Sequence, residues 1–306
     1  MRCRRPWQTD RVGTDPVERA TPSRALVLGG GGITGIAWEF GVLAALAAHG
    51  VDLTAESTAP DLIVGTSAGA VVGAQVAAQI PLDRRYADEL RTDPAERWER
   101  VRPWTLARIA AATVRATDGD DFRRRIGLLA RTARTVPQAQ RHAEVAGWLS
   151  GVRTWPATPL LVTAVDAIDG RFRVLDRSTG VDLVTAVAAS VASPGVRPPS
   201  TIDGRPYYDG GFRSAVNADL AAGHDRILVL APVPTGKPPF GDPAAELAEL
   251  AKTAQVISVV PDAVAVTALG RGPAAKLDPA RRAAAARAGY AQGRREAAVI
   301  SRLWQG

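Results

Sequence analysis

The chain has 306 residues, 46% hydrophobic and 23% charged, a composition that excludes a mainly disordered protein and allows one large domain or two small ones. Thirty-eight Lys and Arg against thirty-one Asp and Glu give a net charge of +7, a lean toward anionic partners. The basic residues are scattered among acidic ones, and no stripe with interleaved aromatics marks a nucleic-acid site. No apolar run reaches the ~18–20 residues of a membrane span, and the single cysteine, Cys3, rules out an intrachain disulfide and a cysteine-built metal site.

Residues 1–23 mix Arg, Asp, Thr and Pro without periodicity and read as a flexible leader. The basic start is followed by no apolar secretory segment, so the expected location is the cytoplasm. Residues 24–306 are expected to form one ordered domain. Ala25-Leu26-Val27-Leu28 is a short buried strand, followed by the loop Gly29-Gly30-Gly31-Gly32-Ile33-Thr34-Gly35 and a helix over residues 36–48 that His49-Gly50 ends. Asp61-Leu62-Ile63-Val64 is a second strand, running through Gly65-Thr66-Ser67-Ala68-Gly69 into a small-residue helix over 70–79. Two strand–helix units in a row predict an α/β fold with a parallel sheet covered on both faces.

Residues 82–151 turn to Arg, Asp, Trp and Ala at helical spacing without a strand pattern, and read as an inserted helical cap. A strand over 159–164 turns at Asp169-Gly170 into a second arm over 171–175. A helix over 181–192 stops at Pro194-Gly195, and Ile202-Asp203-Gly204-Arg205 marks a tight hairpin whose second arm ends at Asp209-Gly210-Gly211. Residues 226–231 form the last clear buried strand. Helices are expected over 243–254 and 279–304, the second capped by Asp278 with Pro279 at its first position.

Three of these connections carry chemistry. Gly65-Thr66-Ser67-Ala68-Gly69 is a G-x-S-x-G between a buried strand and a helix. Such a turn strains the serine backbone and stands its hydroxyl at a helix N-terminus, where developing negative charge is favoured, which makes Ser67 a candidate nucleophile. The four-glycine loop exposes backbone N–H groups that can hold an oxyanion. Its rival reading is a dinucleotide loop, since Gly30, Gly32 and Gly35 satisfy G-x-G-x-x-G, but the acidic residue expected at the end of the next strand is missing, because Asp61 stands at that strand's start. Asp209 is either a base or orienter for Ser67, or a turn aspartate. His49, His142 and His224 are the only histidines. His49 and His224 lie after helices and before strands, at the sheet edge opposite Ser67, and His142 falls in the cap, so the chemistry is expected to use Ser67 and Asp209 without a histidine.

Taken in order, the glycine loop, G-T-S-A-G and D-G-G resemble the patatin-like phospholipase family. Leu26-Val27-Leu28, Gly41-Val42-Leu43, Ala189-Ser190-Val191-Ala192-Ser193-Pro194-Gly195 and Tyr208-Asp209-Gly210-Gly211 extend the resemblance over residues 24–231, with a weaker match at Tyr290-Ala291-Gln292-Gly293. The resemblance implies a three-layer α/β/α sandwich with a mainly parallel central sheet. It also implies a Ser67–Asp209 dyad, an oxyanion hole from the Gly30, Gly31 and Gly32 segment, motif support from Gly35, Gly65, Gly69, Gly210 and Gly211, and no metal or organic cofactor. One departure is Thr34, where the family usually carries Arg or Lys.

Within the cap, Phe122, Ile126, Leu129, Ala130, Ala133 and Val136 recur at near-helical spacing with Arg123, Arg124, Arg125, Arg131 and Arg134 between them. The favoured reading is a helix packed on its own domain with a solvated Arg face, the other a helix lying on an anionic membrane. Trp98, Trp104, Trp148 and Trp155 line either an acyl pocket or the cap's own core. The expected protein is a serine acyl hydrolase of lipid carboxylic esters. The alternatives are acyl transfer from the same acyl-enzyme and a non-catalytic lipid- or nucleotide-binding protein.

Overall fold

The computed structural model describes residues 22–91, 100–234, 236 and 241–306. All of the expected leader but its last two residues, and Trp98 of the cap, lie outside them. β1 (Arg24–Leu28) and β2 (Leu62–Gly65) turn directly into α1 (Gly32–Ala48) and α2 (Ala68–Ala77). α1 starts earlier than its sequence pattern suggests, because the last glycine of the loop is wound into the helix, Gly35 N–H donating to Gly31 O at 3.0 Å. The described part of 82–151 holds α3 (Leu82–Glu89), α4 (Pro103–Arg115), α5 (Gly119–Thr132) and α6 (Gln138–Trp148). Next come β3 (Leu160–Asp166), β4 (Phe172–Leu175), α7 (Leu183–Ser190), β5 (Ser200–Ile202) and β6 (Arg205–Asp209). Asp203 (φ 52°) and Gly204 (φ 74°) are both left-handed, the turn that Asp-Gly favours between antiparallel arms.

β7 (Arg226–Leu230) is not the last strand. After α8 (Pro243–Leu250) the chain adds β8 (Gln255–Val259), then α9 (Ala263–Leu269), α10 (Gly272–Lys276) and α11 (Arg282–Gln305). β8 pairs in parallel with β7 at the sheet edge. Only Val259 of its residues is fully buried, so it lacks the continuous apolar run that marks the inner strands. The sheet order is β5-β6-β3-β2-β1-β7-β8, with β4 on β3. β3, β2, β1, β7 and β8 run parallel, while β4 and β6 join β3 antiparallel, and β5 joins β6.

The pleat divides the core. Leu26, Leu28, Ile63, Val162, Leu228 and Leu230 pack with side chains of α1, α2, α7 and α11 in the main cluster. Alternate residues Ala25, Val27, Val64, Ile227 and Val229 face the other side, beneath Val216, Ala218 and Ala221 and Leu250 of α8. On that side too, Phe122, Ile126 and Ala130 of α5 and Ala112 of α4 cover Val165 and Tyr208. The result is the expected three-layer α/β/α sandwich. The apolar stripe of α5 is thus buried on its own sheet, with Arg123 and Arg131 donating to Gly170 O (2.9 Å) and Ala167 O (3.1 Å). α11 lies along α1, where Trp38 donates to the buried Gln292 Oε1 at 3.3 Å. No helix among the described residues is long and apolar enough to cross a membrane.

Candidate active site

Because β1, β2 and β7 are parallel and in register, with Leu28 opposite both Gly65 and Leu230, their C-terminal ends lie side by side. This puts the glycine loop and the Ser67 turn on one edge. Asp209 arrives from the opposite direction. β4 occupies one edge of β3 from Val162 to Val165, so β2 and β6 share the other edge, Gly65 opposite Val162 and Asp209 opposite Ala164. Two strands running toward each other along a third therefore bring Ser67 and Asp209 together.

Ser67 has φ 53° and ψ −114°, a conformation that costs a non-glycine residue roughly 1–3 kcal/mol. Hydrogen bonds from both sides hold it: its N–H donates to Ser190 Oγ at 2.9 Å, and Gly69 N–H donates to Thr66 O at 2.9 Å and to Gly29 O at 3.0 Å. A Cβ on Gly69 would overlap the Leu28 carbonyl, and one on Gly65 would sit 2.6 Å from Ala70 Cα, so both glycines are required by close approach of α2 to β1 and β2. Gly69→Ala is expected to lower the melting temperature by about 5 °C through overpacking. Gly147→Ala, where a Cβ meets nothing within 4 Å, serves as the control and is expected to leave melting unchanged or raise it slightly.

Ser67 Oγ donates to Asp209 Oδ2 at 2.8 Å. Oδ1 of the same carboxylate accepts from Gly211 N–H at 2.8 Å, capping the short 3-10 turn Gly210–Phe212. One oxygen of Asp209 thus caps the turn while the other accepts from the serine. Ser67 and Asp209 are 8% and 6% exposed. Burial pushes the Asp209 carboxyl up to about 6, against the Gly211 N–H, the Ser67 hydroxyl, the Arg197 charge and the Ser193 hydroxyl, all of which favour the anion.

Around this serine–carboxylate pair lies a cavity of about 970 Å³, lined by Ser67, Asp209, Gly30 to Gly32, Val71, Leu106, Ile109, Val191 and Phe212 among others. Gly30 departs from the expected oxyanion set, since its N–H already donates to Ala215 O at 2.7 Å. Gly31 caps α1 and Gly32 (φ 65°) opens it, positions whose N–H groups helix geometry leaves without an intrahelical acceptor. Thr34 is fully buried and donates to Leu269 O at 3.3 Å, joining α1 to α9.

Residues 26–222, more than half of the chain, match the sequence model of the Patatin-like phospholipase family. The chain belongs to that family. Its patatin-like domain is thereby one of a family of lipid hydrolases. No curated protein matches the chain in sequence. Among solved structures, VipD from Legionella pneumophila aligns at 14% identity and TM-score 0.45 over 91% of this chain and 67% of VipD. The type III effector protein ExoU aligns at 15% identity and TM-score 0.38, over 90% of this chain and 53% of ExoU.

Of the remaining residues singled out in this patatin-like sequence, the histidines stand apart from the dyad. His49 Nδ1 donates to Ala45 O at 2.8 Å, His224 Nδ1 to Ala221 O at 3.1 Å, and His142 Nε2 lies 3.2 Å from Ser200 Oγ. Trp148 lines the cavity, Trp155 is half-buried against the core and donates to Val181 O at 2.7 Å, and Trp104 is exposed. Among the described residues no group of three or more His, Cys, Asp or Glu comes together as a metal site. The sequence reading gave no role to Ser190, Ser193 and Arg197, although the serines fall inside a stretch that carries the family resemblance. It also missed the polar floor in which Thr163 Oγ1 and Asn217 Nδ2 both donate to Thr66 Oγ1 at 3.0 Å.

Proposed function

We propose that the chain is a serine acyl hydrolase of lipid carboxylic esters, working through a Ser67–Asp209 dyad. The observation that carries this reading is the 2.8 Å hydrogen bond from a backbone-strained serine to a carboxylate with a raised pKa, at the wall of a mostly apolar cavity. Asp209 Oδ2 takes the Ser67 proton as Oγ attacks the ester carbonyl carbon. The oxyanion accepts hydrogen bonds from the Gly31 and Gly32 N–H groups. As the tetrahedral intermediate collapses, Asp209 returns the proton to the leaving alcohol and the acyl group stays on Ser67. Water then attacks the acyl-enzyme, giving a proton to Asp209, which passes it to the departing Ser67 Oγ as the fatty acid is released. Trp104 of α4 is exposed on the same helix face as Arg108 and Arg115, which supports peripheral contact of this face with an anionic lipid surface.

The test is covalent labelling by a fluorophosphonate, with the modified residue located by peptide mass spectrometry. Label is expected on Ser67. Because protonated Asp209 cannot accept the serine proton, the labelling rate is expected to fall about tenfold per pH unit on the acid side of about 6 and to level off above it. A folded chain that takes no label, or takes it elsewhere, refutes the reading.

A further inference from the structure

The cavity wall carries charges whose partners are unevenly supplied. Arg85 donates to Asp88 at 2.7 Å and to Glu89 at 3.3 Å, and Arg282 Nε lies 3.3 Å from Glu89 Oε2. Arg197 sits over the Trp148 ring, 5.0 Å from its centroid, and donates to Val191 O at 3.1 Å. Lys276, the last residue of α10, also lines the cavity. It is half-buried and forms no ion pair or hydrogen bond through its side chain among the described residues. Burial pushes its ammonium below the usual lysine range, and no carboxylate among the described residues pairs with it. Its backbone packs directly against the glycine loop, since a Cβ on Gly32 would come within 2.6 Å of Lys276 O. The loop itself, residues 29–35, holds only Gly, Ile and Thr and has no charge of its own.

A desolvated cation without a counter-ion is costly unless something brings the counter-ion. An anion on the substrate, close to the scissile ester, would be that partner, and a glycerophospholipid carries its phosphate a few bonds from the ester carbonyl. We infer that Lys276 receives the phosphate of an acylglycerol-phosphate substrate and sets the preference of this site for phosphate-bearing over uncharged esters. This rests on the hydrolase reading above and specifies its substrate class.

The experiment compares the full chain with Lys276→Met and Lys276→Arg on two substrates that share one acyl ester, lauroyl lysophosphatidylglycerol and monolauroylglycerol. The ratio of kcat/KM for the first over the second is expected to fall about tenfold in Lys276→Met, the weight of one charge-assisted hydrogen bond, and to be restored in Lys276→Arg. An unchanged ratio, including equal losses on both substrates, overturns the inference. A second arm needs no turnover: calorimetric binding of dodecyl phosphate and of inorganic phosphate to Ser67→Ala, with and without Lys276→Met. Dodecyl phosphate is expected to bind more tightly than inorganic phosphate and to lose about tenfold with Lys276→Met. Equal affinity for the two ligands means a site for free phosphate and overturns the lipid assignment, as does dodecyl phosphate binding that ignores Lys276. If neither ester is turned over, the hydrolase reading fails, and the binding arm still decides the role of Lys276.

Discussion

Ser67→Ala is expected to abolish ester turnover, by about 10⁴-fold or more, while leaving a folded protein. The magnitude follows from the nucleophile and its base acting as a unit, so that loss of one removes nearly all the benefit of both. The fold should survive because the turn is held through backbone groups, the Ser67 N–H on Ser190 Oγ and Gly69 N–H on Thr66 O, which alanine keeps. A second substitution separates chemistry from strain. Ser67→Gly also loses the nucleophile, but glycine occupies φ 53° without the steric cost, so it should melt about 2–4 °C above Ser67→Ala. Turnover of a lipid ester and thermal melting of the three proteins check both statements. Residual turnover within tenfold of the unaltered chain would remove Ser67 from the mechanism.

Asp209→Asn is expected to cost about 10³–10⁴ in turnover and to make the fold more stable at neutral pH. The two effects share one cause. In the folded chain Asp209 holds its proton up to about pH 6, against 3.8 for an ordinary aspartate. Its contribution to stability is therefore fully present below about 3.8 and lost as the pH rises through about 6, because the unfolded chain ionises more readily. At pH 7.5 the buried anion costs on the order of 2–3 kcal/mol, which asparagine, nearly the same shape and still able to accept from Gly211 N–H, does not incur. Melting of both proteins at pH 7.5 and pH 4.5 is the check. The variant should lead by about 4 °C at the higher pH and by little at the lower. A variant that melts lower at pH 7.5 would mean that the carboxylate's hydrogen bonds outweigh the cost of its buried charge.

The Ser67–Asp209 pair was legible because Ser67 follows a continuous apolar strand and Asp209 closes an arm that an Asp-Gly hairpin opens, and because small neighbours announce a close approach: Gly65 and Gly69 around Ser67, Gly210 and Gly211 after Asp209. The inner strands were legible for the same reason. β8 was not, since an edge strand with half-buried residues, Gln255 at its start and Ser258 interrupting its apolar residues shows neither a continuous apolar run nor a clean alternation. The start of α1 was misplaced because glycine has poor intrinsic helix propensity, and it is packing against Pro232 and Lys276 that winds Gly32 and Gly35 into the first turn. The engagement of Gly30 depends on Ala215, and the roles of Ser190, Ser193 and Arg197 depend on α7 and the segment after it passing beneath the dyad. Those are contacts between distant stretches of chain, for which local pattern carries no signal.

The register of β3 has a further consequence. The ends of β2 and β6 are pinned to it at Val162 and Ala164, so the gap across which the serine must reach its base is set by the spacing of two residues in a strand that contributes no reacting group. Inserting or deleting one residue there would change that gap by about 3.4 Å, more than a hydrogen bond can absorb, with every catalytic side chain still in place. β3 is in this sense the measuring rod of the site. In the proposed mechanism its integrity between those two pins, centred on Thr163, is as much a requirement as the serine itself.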